Sequence, residues 1–145
     1  MEVTNQLELL CWADIRAEAV WVKPLILNME KTLSNDWKYE DVYSSCLNNK
    51  AQLFVGKGVW EEQGFVVLQS LQNPYTLQNT LFIWLAHGKT HGLYPEFYPD
   101  LRRIANHTGC TSITFKSPRK GWVRATQVVM VEAIYQIPME ECENV

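Results

Sequence analysis

Several features that define common protein classes are missing from this 145-residue sequence. No stretch approaches the ~20 consecutive apolar residues that a membrane-spanning helix needs, and Met1-Glu2-Val3-Thr4 lacks the basic start of a secretory signal. Lys and Arg number 13 against 16 Asp and Glu, so the chain lacks the basic excess that nucleic-acid binding requires. We therefore expect a cytoplasmic protein that does not bind membranes, and the acidic balance argues against a broad nucleic-acid-binding surface.

Motifs for metal, disulfide and hydrolase chemistry are also missing. Cys11, Cys46, Cys110 and Cys142 form no C-x-x-C pair and no zinc-like spacing, and we interpret them as reduced thiols. No G-x-S-x-G elbow marks a serine nucleophile. Repeats, low-complexity tracts and a domain boundary are absent, so we predict a single domain over residues 1–145 with an acidic tail from about residue 139.

Aromatic residues, by contrast, are abundant. Six Trp, six Tyr and five Phe make up 12% of the chain. Such side chains fill cores, but Trp and Tyr also favour interfaces where one end stays wet. Trp84 lies in an apolar run that is typical of a core, whereas Trp60, beside a glycine-rich turn, is available to a partner. Composition therefore leaves open both core packing and partner binding for the aromatic residues.

Hydrophobic periodicity predicts an α/β chain. Apolar residues recur at helical spacing from Leu7 to Leu33, and Pro24 should kink this run or divide it into two helices. The pattern next predicts a helix over residues 39–47 and strands over 52–55, 64–69 and 79–86. A helix from Tyr94 or Pro99 to Asn106, a strand over 111–115 and a final strand or hairpin over 128–137 complete the prediction. Short turns make the first three strands antiparallel, whereas the intervening helix makes the third and fourth parallel. The prediction is a mixed sheet with helices on its faces.

This order resembles the GNAT superfamily of N-acetyltransferases over roughly residues 13–122. The matching segments are the N-terminal helical pair, Ala51-Gln52-Leu53-Phe54-Val55-Gly56-Lys57, Gly64-Phe65-Val66-Val67-Leu68, the strand ending in Trp84-Leu85-Ala86, and Gly109-Cys110. The resemblance implies an α/β fold of the GNAT type, with a central twisted mixed sheet flanked by helices and acetyl-CoA as cofactor.

The family's acyl-CoA loop has the form Q/R-x-x-G-x-G/A, and the corresponding residues here are Ala86, His87, Gly88, Lys89, Thr90, His91 and Gly92. Glycines let the backbone approach a diphosphate, and amides at a helix N-terminus point at it. Thr90 stands where a glycine is expected, and Pro95 and Pro99 each remove an amide donor. These departures weaken the predicted binding of the cofactor.

A second departure follows the fifth strand of the family pattern. Only residues 116–120 separate Phe115 from Gly121-Trp122, so the family's next helix, with the Tyr that protonates the leaving thiolate, is absent or very short. Tyr135 belongs to the last predicted strand and does not match that Tyr. The shortened pattern is similar to small GNAT-like proteins of tailed phages and prophages, some of which are encoded among virion genes.

Three residues are candidates for acid or base chemistry: His87, Glu61 and Glu62. A histidine titrates near neutral pH, and an ammonium nucleophile must lose a proton before it attacks a thioester. Each also has a simpler interpretation: His87 is a polar loop residue, and the two glutamates are solvated turn residues. His87 and His91 are four residues apart, but no third ligand is nearby in sequence, and we predict no metal site.

Cys110 is a nucleophile only if a base lies beside it; as a helix-to-strand cysteine it fits a packing role. The one basic cluster consists of Lys116, Arg119, Lys120 and Arg124. It suits an acyl-CoA phosphate, nucleic acid, an acidic protein or a solvated turn equally.

Two functions follow. The departures in the cofactor loop favour a noncatalytic or weakly active bacteriophage-type protein that serves in virion assembly or structure, or in host interaction. Its partners would be virion or host proteins, or further copies of the chain in a homo-oligomer. The alternative is an acyl-CoA-dependent N-acyltransferase acting on a small amine or a protein amine, since Gly88 and Gly92 are present at the end of a site-forming strand.

Overall fold

The computed structural model describes residues 10–33, 37–56, 64–87 and 97–115. Within these ranges the chain forms five strands and three helices. In chain order the elements are β1 (Leu10–Ala13), α1 (Ile15–Leu33), α2 (Tyr39–Leu47), β2 (Gln52–Gly56), β3 (Phe65–Gln72), β4 (Asn79–His87), α3 (Tyr98–His107) and β5 (Cys110–Phe115). The predicted strand over 128–137 and the acidic tail lie outside the described residues.

The five strands form one sheet in the order β1-β2-β3-β4-β5. β1, β2, β3 and β4 pair antiparallel in succession, and β4 pairs with β5 in parallel. The parallel pair is connected through α3, because two neighbouring parallel strands need a crossover. The predicted mixed sheet is therefore confirmed.

Hydrophobic clusters cover both faces of the sheet. α3 packs on one face, where its buried residues contact β1, β3 and β4. Helices α1 and α2 pack on the other face, against β2, β3 and β4. β3 lies between the two clusters, and its residues Phe65, Val66, Val67 and Leu68 are all fully buried.

The prediction of helix from Leu7 onward is wrong at its start, because residues 10–13 form β1. This strand pairs with β2, which supplies the hydrogen bonds that a helix would otherwise provide. Asp14 separates the two elements: its side chain accepts a hydrogen bond from the Arg16 N–H at 2.9 Å, and its carbonyl accepts from Ala17 and Glu18. Asp14 thus caps α1, and helical spacing N-terminal to it is incidental.

Pro24 does not divide the first helix. α1 is continuous from Ile15 to Leu33 with Pro24 inside it. Proline lacks the N–H that would bond the carbonyl of Val20, four residues earlier. Both residues are exposed, Val20 to 89%, so water can solvate that carbonyl. The proline is tolerated because it lies on the solvent side of the helix.

The other helical predictions are confirmed closely. α2 has the predicted bounds and ends before Asn48, while Asn49 has a φ of 60°. α3 begins at Tyr98, within the predicted range, and ends beside Gly109, whose φ is 76°. Such a φ favours glycine, which is why the chain turns from α3 into β5 at this position. No helix in the described ranges is long and apolar enough to span a membrane.

Candidate active site

The candidate active site lies at the C-terminal end of β4, where a β-bulge interrupts the pairing with β3. Val67 lies opposite Leu85 and Leu68 lies opposite Ile83, so Trp84 is skipped in the register. A bulge adds one residue to one strand of a pair and bends that strand. The bend therefore falls close to the end of β4 at His87.

The bulge also changes which face each β4 side chain occupies. Leu81 and Ile83 are buried in the cluster under α3, as alternation requires. Trp84 and Leu85 both pack on the opposite face, with the cluster under α1 and α2. Ala86 returns to the α3 side. The extra residue thus places two consecutive side chains on the α1/α2 face.

β4 has two described neighbours in the sheet, β3 and β5. Within the described residues its pairing with β5 ends at Ile83 and Phe115, whereas its pairing with β3 continues to His87. The backbone of Trp84, Leu85 and Ala86 therefore follows both the bulge and the last described β5 pair. A strand end of this kind is where an α/β sheet forms a crevice for a ligand.

Two of the sequence-predicted site residues, Ala86 and His87, lie in this segment. Both are half-buried at the end of β4. His87 lies opposite Phe65 in the register, and its ring stacks on the Phe65 ring with centroids 5.7 Å apart and an interplanar angle of 21°. The stacking orients the imidazole on the α1/α2 face, at the end of the bulged strand.

Aromatic side chains surround this end of β4 on the α1/α2 side. The Trp21 ring meets the Phe65 ring edge-on with centroids 5.8 Å apart, and the Trp21 indole N–H donates to Glu18 at 2.8 Å. Trp37, just before α2, meets Trp84 edge-on at 6.4 Å. Glu18, Trp21, Trp37 and Trp84 are half-buried. They place a carboxylate and several ring surfaces on the same side of the sheet as His87.

The first turn of α3 is one place where a coenzyme diphosphate could bind. Amides of a first helical turn are the donors that bind such an anion. Here Pro99 removes one of them, and Asp100 adds a carboxylate to the same turn. α3 begins at Tyr98, so its first-turn amides are not those of residues 88–92. This turn does not fit a diphosphate, which agrees with the departure noted at Pro99.

Asp100 instead has a structural role. Its side chain is 8% exposed and accepts a hydrogen bond from the backbone N–H of Leu10 in β1. Arg103, one turn later, lies 3.4 Å from the other carboxylate oxygen. The buried charge is thus paired, as burial requires. The contact attaches the N-terminus of α3 to the edge strand of the sheet.

Cys110 is a packing residue. It is buried in the α3-side cluster, and its sulfur lies 3.6 Å from the Ser70 hydroxyl and 3.4 Å from the Thr108 hydroxyl. Hydroxyl groups do not act as the base that a nucleophilic thiol needs. The packing interpretation fits these neighbours. Cys11, Cys46 and Cys110 are free thiols.

Among the described residues no group of three or more His, Cys, Asp or Glu side chains could hold a metal ion.

The remaining sequence-predicted candidates lie outside the described residues. The candidates outside are Glu61, Glu62, Gly88, Lys89, Thr90, His91, Gly92, the basic cluster of Lys116, Arg119, Lys120 and Arg124, and the aromatic residues Trp60 and Tyr135.

Sequence reasoning missed Asp100 and the bulge. Proline followed by an acidic residue is a common helix start, so Pro99-Asp100 marked the start of α3 but not the burial of the carboxylate. The bulge has no local signal, since residues 79–87 contain neither glycine nor proline. Only the pairing with β3 locates it.

Solved structures of acetyltransferases are similar to this chain. One is described as a probable acetyltransferase, with a TM-score of 0.63 and 9% identity over 91% of this chain and 98% of its own. Another is ribosomal-protein-alanine N-acetyltransferase from Brucella melitensis biovar Abortus 2308, with a TM-score of 0.61 and 15% identity over 91% and 98%. A third is an aminoglycoside acetyltransferase from an uncultured soil metagenomic sample, in complex with trehalose, with a TM-score of 0.61 and 10% identity over 92% and 95%.

No protein-family model and no curated protein matches the chain. The identities of the solved structures are far too low to indicate shared substrates, but the coverage of nearly the whole length of both chains shows a shared fold. The predicted GNAT-type fold is therefore confirmed.

Proposed function

We propose that this protein is an acyl-CoA-dependent N-acyltransferase that acts on a small amine or a protein amine. The observation that carries the proposal is the bulge at Trp84, close to the C-terminal end of β4. The shared fold with acetyltransferases supports the same assignment.

Acyl transfer from a thioester places negative charge on the carbonyl oxygen, and a preorganised backbone N–H is an effective donor for it. A bulge removes backbone groups from the regular ladder and re-aims them. In this proposal the backbone of residues 84–86 binds the carbonyl oxygen of the thioester. Acyl-CoA supplies the activated acyl group when bound; the amine nitrogen forms the new amide bond, and the coenzyme leaves as the thiol.

His87 is proposed as the base that removes the proton from the attacking ammonium. Histidine is the side chain that most often performs this proton transfer, and the His87 ring stacks on Phe65 at the end of the same strand. Glu18, hydrogen-bonded to Trp21 on this face, adds negative charge that attracts a cationic acceptor. Glu61 and Glu62 remain alternative candidates from sequence.

The diphosphate of the coenzyme is assigned to the predicted loop, in which Gly88 and Gly92 allow close approach and Lys89 supplies charge. The first turn of α3 is not assigned this role, because Pro99 lacks an N–H and Asp100 is acidic. With fewer helix amides available, we expect weaker binding of the coenzyme than a complete glycine-rich loop provides.

The test combines calorimetry, thermal shift and turnover. Acetyl-CoA at about a hundredfold excess over its dissociation constant should stabilise the protein by about 2.7 kcal/mol. Release of free thiol with a panel of amines and N-terminal peptides then measures turnover. If acetyl-CoA produces no heat of binding and no shift in melting temperature, the proposal is excluded.

Two variants separate the proposed roles. His87→Gln should lower kcat by about 10²–10⁴-fold, measured at saturating acetyl-CoA because His87 also belongs to the predicted acyl-CoA loop. Lys89→Ala should weaken acetyl-CoA binding, whereas Lys50→Ala, at an exposed lysine after α2, serves as the matched control. Unchanged turnover in His87→Gln would move the base to Glu61 or Glu62.

A second candidate function is a noncatalytic role in bacteriophage assembly, virion structure or host interaction. The first turn of α3 supports it, because Pro99 and Asp100 make that turn a poor anion site. Co-purification with phage particles, together with no response to acetyl-CoA, would favour this candidate over the first.

A further inference from the structure

The hairpin tip, which we define as the last two residues of β3 and the turn before β4 (residues 71–78), projects apolar side chains into solvent. Every residue of the tip is exposed. Tyr75 is 91% exposed, Leu77 is 64% exposed and Leu71 is 46% exposed. A tyrosine and two leucines exposed within eight residues form a concentrated apolar surface, which soluble proteins commonly use for association.

The tip is held in one conformation by its own hydrogen bonds. The Asn73 side-chain oxygen accepts from the Tyr75 and Thr76 N–H groups at 2.8 and 3.0 Å. The Asn73 carbonyl accepts from the Leu77 N–H, and the Asn73 N–H donates to the Gln78 carbonyl, both at 2.8 Å. The turn therefore presents Tyr75 and Leu77 with little ordering left to occur on binding.

Leu77 has a backbone conformation that leucine rarely adopts. Its φ is 62°, in the left-handed region where glycine or asparagine is favoured. Its exposed side chain gains little intramolecular burial to offset that cost. A bulky residue that is strained and exposed suggests that its side chain is buried in a contact beyond the single chain.

The strands β3 and β4 that carry the tip, and β5 beside them, contain no Asp, Glu, Lys or Arg. The sequence contains no Asp, Glu, Lys or Arg between Glu62 and Lys89, or within β5. Thr111 and Ser112 of β5, which lie beside the start of β4, are exposed and uncharged. The Ser112 hydroxyl lies 2.9 Å from that of Thr80. The neutral surface thus continues from the tip across two strands.

Charge decides which partner fits this surface. The chain has a net charge of -3, so two copies repel each other unless they meet through neutral surfaces. In a two-fold contact each residue faces a symmetry-related copy of the same patch, where a cluster of like charges would be unfavourable. Apolar and amide side chains without charge are self-complementary, and interface cores are depleted in charge and enriched in Tyr.

We propose that the hairpin tip is the contact through which two copies of this chain form a symmetric dimer. Tyr75 and Leu77 are its central side chains. The proposal is independent of acyl transfer, because the tip includes none of the residues assigned to the candidate active site.

Sedimentation of the full chain over a wide concentration range tests the proposal. The wild type should dimerise with increasing concentration, and Tyr75→Ser/Leu77→Asn should raise the dimer dissociation constant by at least about tenfold. Asparagine tolerates the left-handed conformation, so Leu77→Asn replaces the apolar side chain by a polar one without straining the turn. Val20→Ser, at a residue 89% exposed on α1, is the matched control and should dimerise as the wild type does.

Folding and location are checked separately. The melting temperature of dilute Tyr75→Ser should match that of the dilute wild type, since the side chain is exposed. Amide hydrogen exchange of residues 71–78 should slow as the wild-type concentration rises. A wild type that stays monomeric at every concentration overturns the proposal, even if another protein binds the tip. Equal dimerisation of the wild type and the double variant also overturns it.

Discussion

The carboxylate of Asp100, in the first turn of α3, accepts a hydrogen bond from the backbone N–H of Leu10 in β1, 90 residues earlier in the chain. It joins the crossover helix to the edge strand at the opposite side of the sheet from β5. Leu10 and Leu101 are buried in the same cluster, so the polar contact is enclosed by apolar packing.

Asp100→Ala should lower the free energy of unfolding by about 1–3 kcal/mol, because it leaves the buried Leu10 N–H without its acceptor. Asp100→Asn retains one oxygen and should cost less. Urea denaturation measures both. Arg16→Gln is the control, because its ion pair with Asp14 is exposed and should contribute much less to stability. Equal losses for Asp100→Ala and Arg16→Gln would contradict the hydrogen-bond explanation.

Gly109→Ala should destabilise the protein by about 1 kcal/mol through its backbone alone. The φ of Gly109 is 76°, and a Cβ built there has no other atom within 4 Å, so no steric clash adds to the cost. Gly109→Asn should lose less, because asparagine adopts this conformation more readily. Thermal unfolding of the two variants checks the order; an unaltered melting temperature in Gly109→Ala would show that the turn relaxes.

Cys46 should make the protein less stable at alkaline pH. Burial raises the pKa of the Cys46 thiol from 9.0 to about 11. Below pH 9 the thiol is protonated in both states and has no effect on stability. Between pH 9 and about 11 the unfolded chain releases the proton first, so the free energy of unfolding falls as the pH rises.

Urea denaturation of the wild type and Cys46→Ala across this pH range isolates the effect. Burial also raises the pKa values of Tyr39 and Tyr98, and the Cys46 charge raises the pKa of Tyr39 further, so the comparison reports Cys46 together with its coupling to Tyr39. The difference in unfolding free energy between the proteins should therefore change between pH 9 and 11. A constant difference would assign the alkaline loss to the tyrosines.

Trp37 and Trp84 should be energetically coupled. Their rings meet edge-on with centroids 6.4 Å apart, a geometry that adds about 0.5–1.5 kcal/mol beyond area burial. A double-mutant cycle with Trp37→Leu and Trp84→Leu, followed by urea denaturation, measures the coupling. Trp12 on β1 provides the control, because it is three strands from β4 in the sheet. A Trp12–Trp84 cycle should be additive within about 0.5 kcal/mol.

Local chemistry explains the elements that were predictable from sequence. α2 has its predicted bounds, and α3 ends at the predicted glycine, because caps and left-handed turn residues act on their immediate neighbours. The strands β2, β3 and β4 were predictable because apolar runs between turn residues favour extended chain. Ala86 and His87 lie at the expected strand end for the same reason.

Long-range pairing decided what the sequence pattern could not. Residues 10–13 fit helical spacing, yet they form β1 because β2 offers backbone partners about forty residues away. Trp84 is bulged out of the β3 register, although nothing in its local sequence differs from a regular strand. Asp100 follows a proline like many exposed helix-start residues, but the fold buries it against Leu10.

The amino-acid sequence by itself therefore determined the order of elements from α2 to β5, their antiparallel-then-parallel pairing and the neutral composition of the β3–β4 hairpin. Tertiary structure decided the bulge, the burial of Asp100 and the strained exposure of Leu77. The physical reason is range: propensity, capping and periodicity depend on residues within one or two turns. Register, burial and paired charges depend on segments that meet only when the sheet forms.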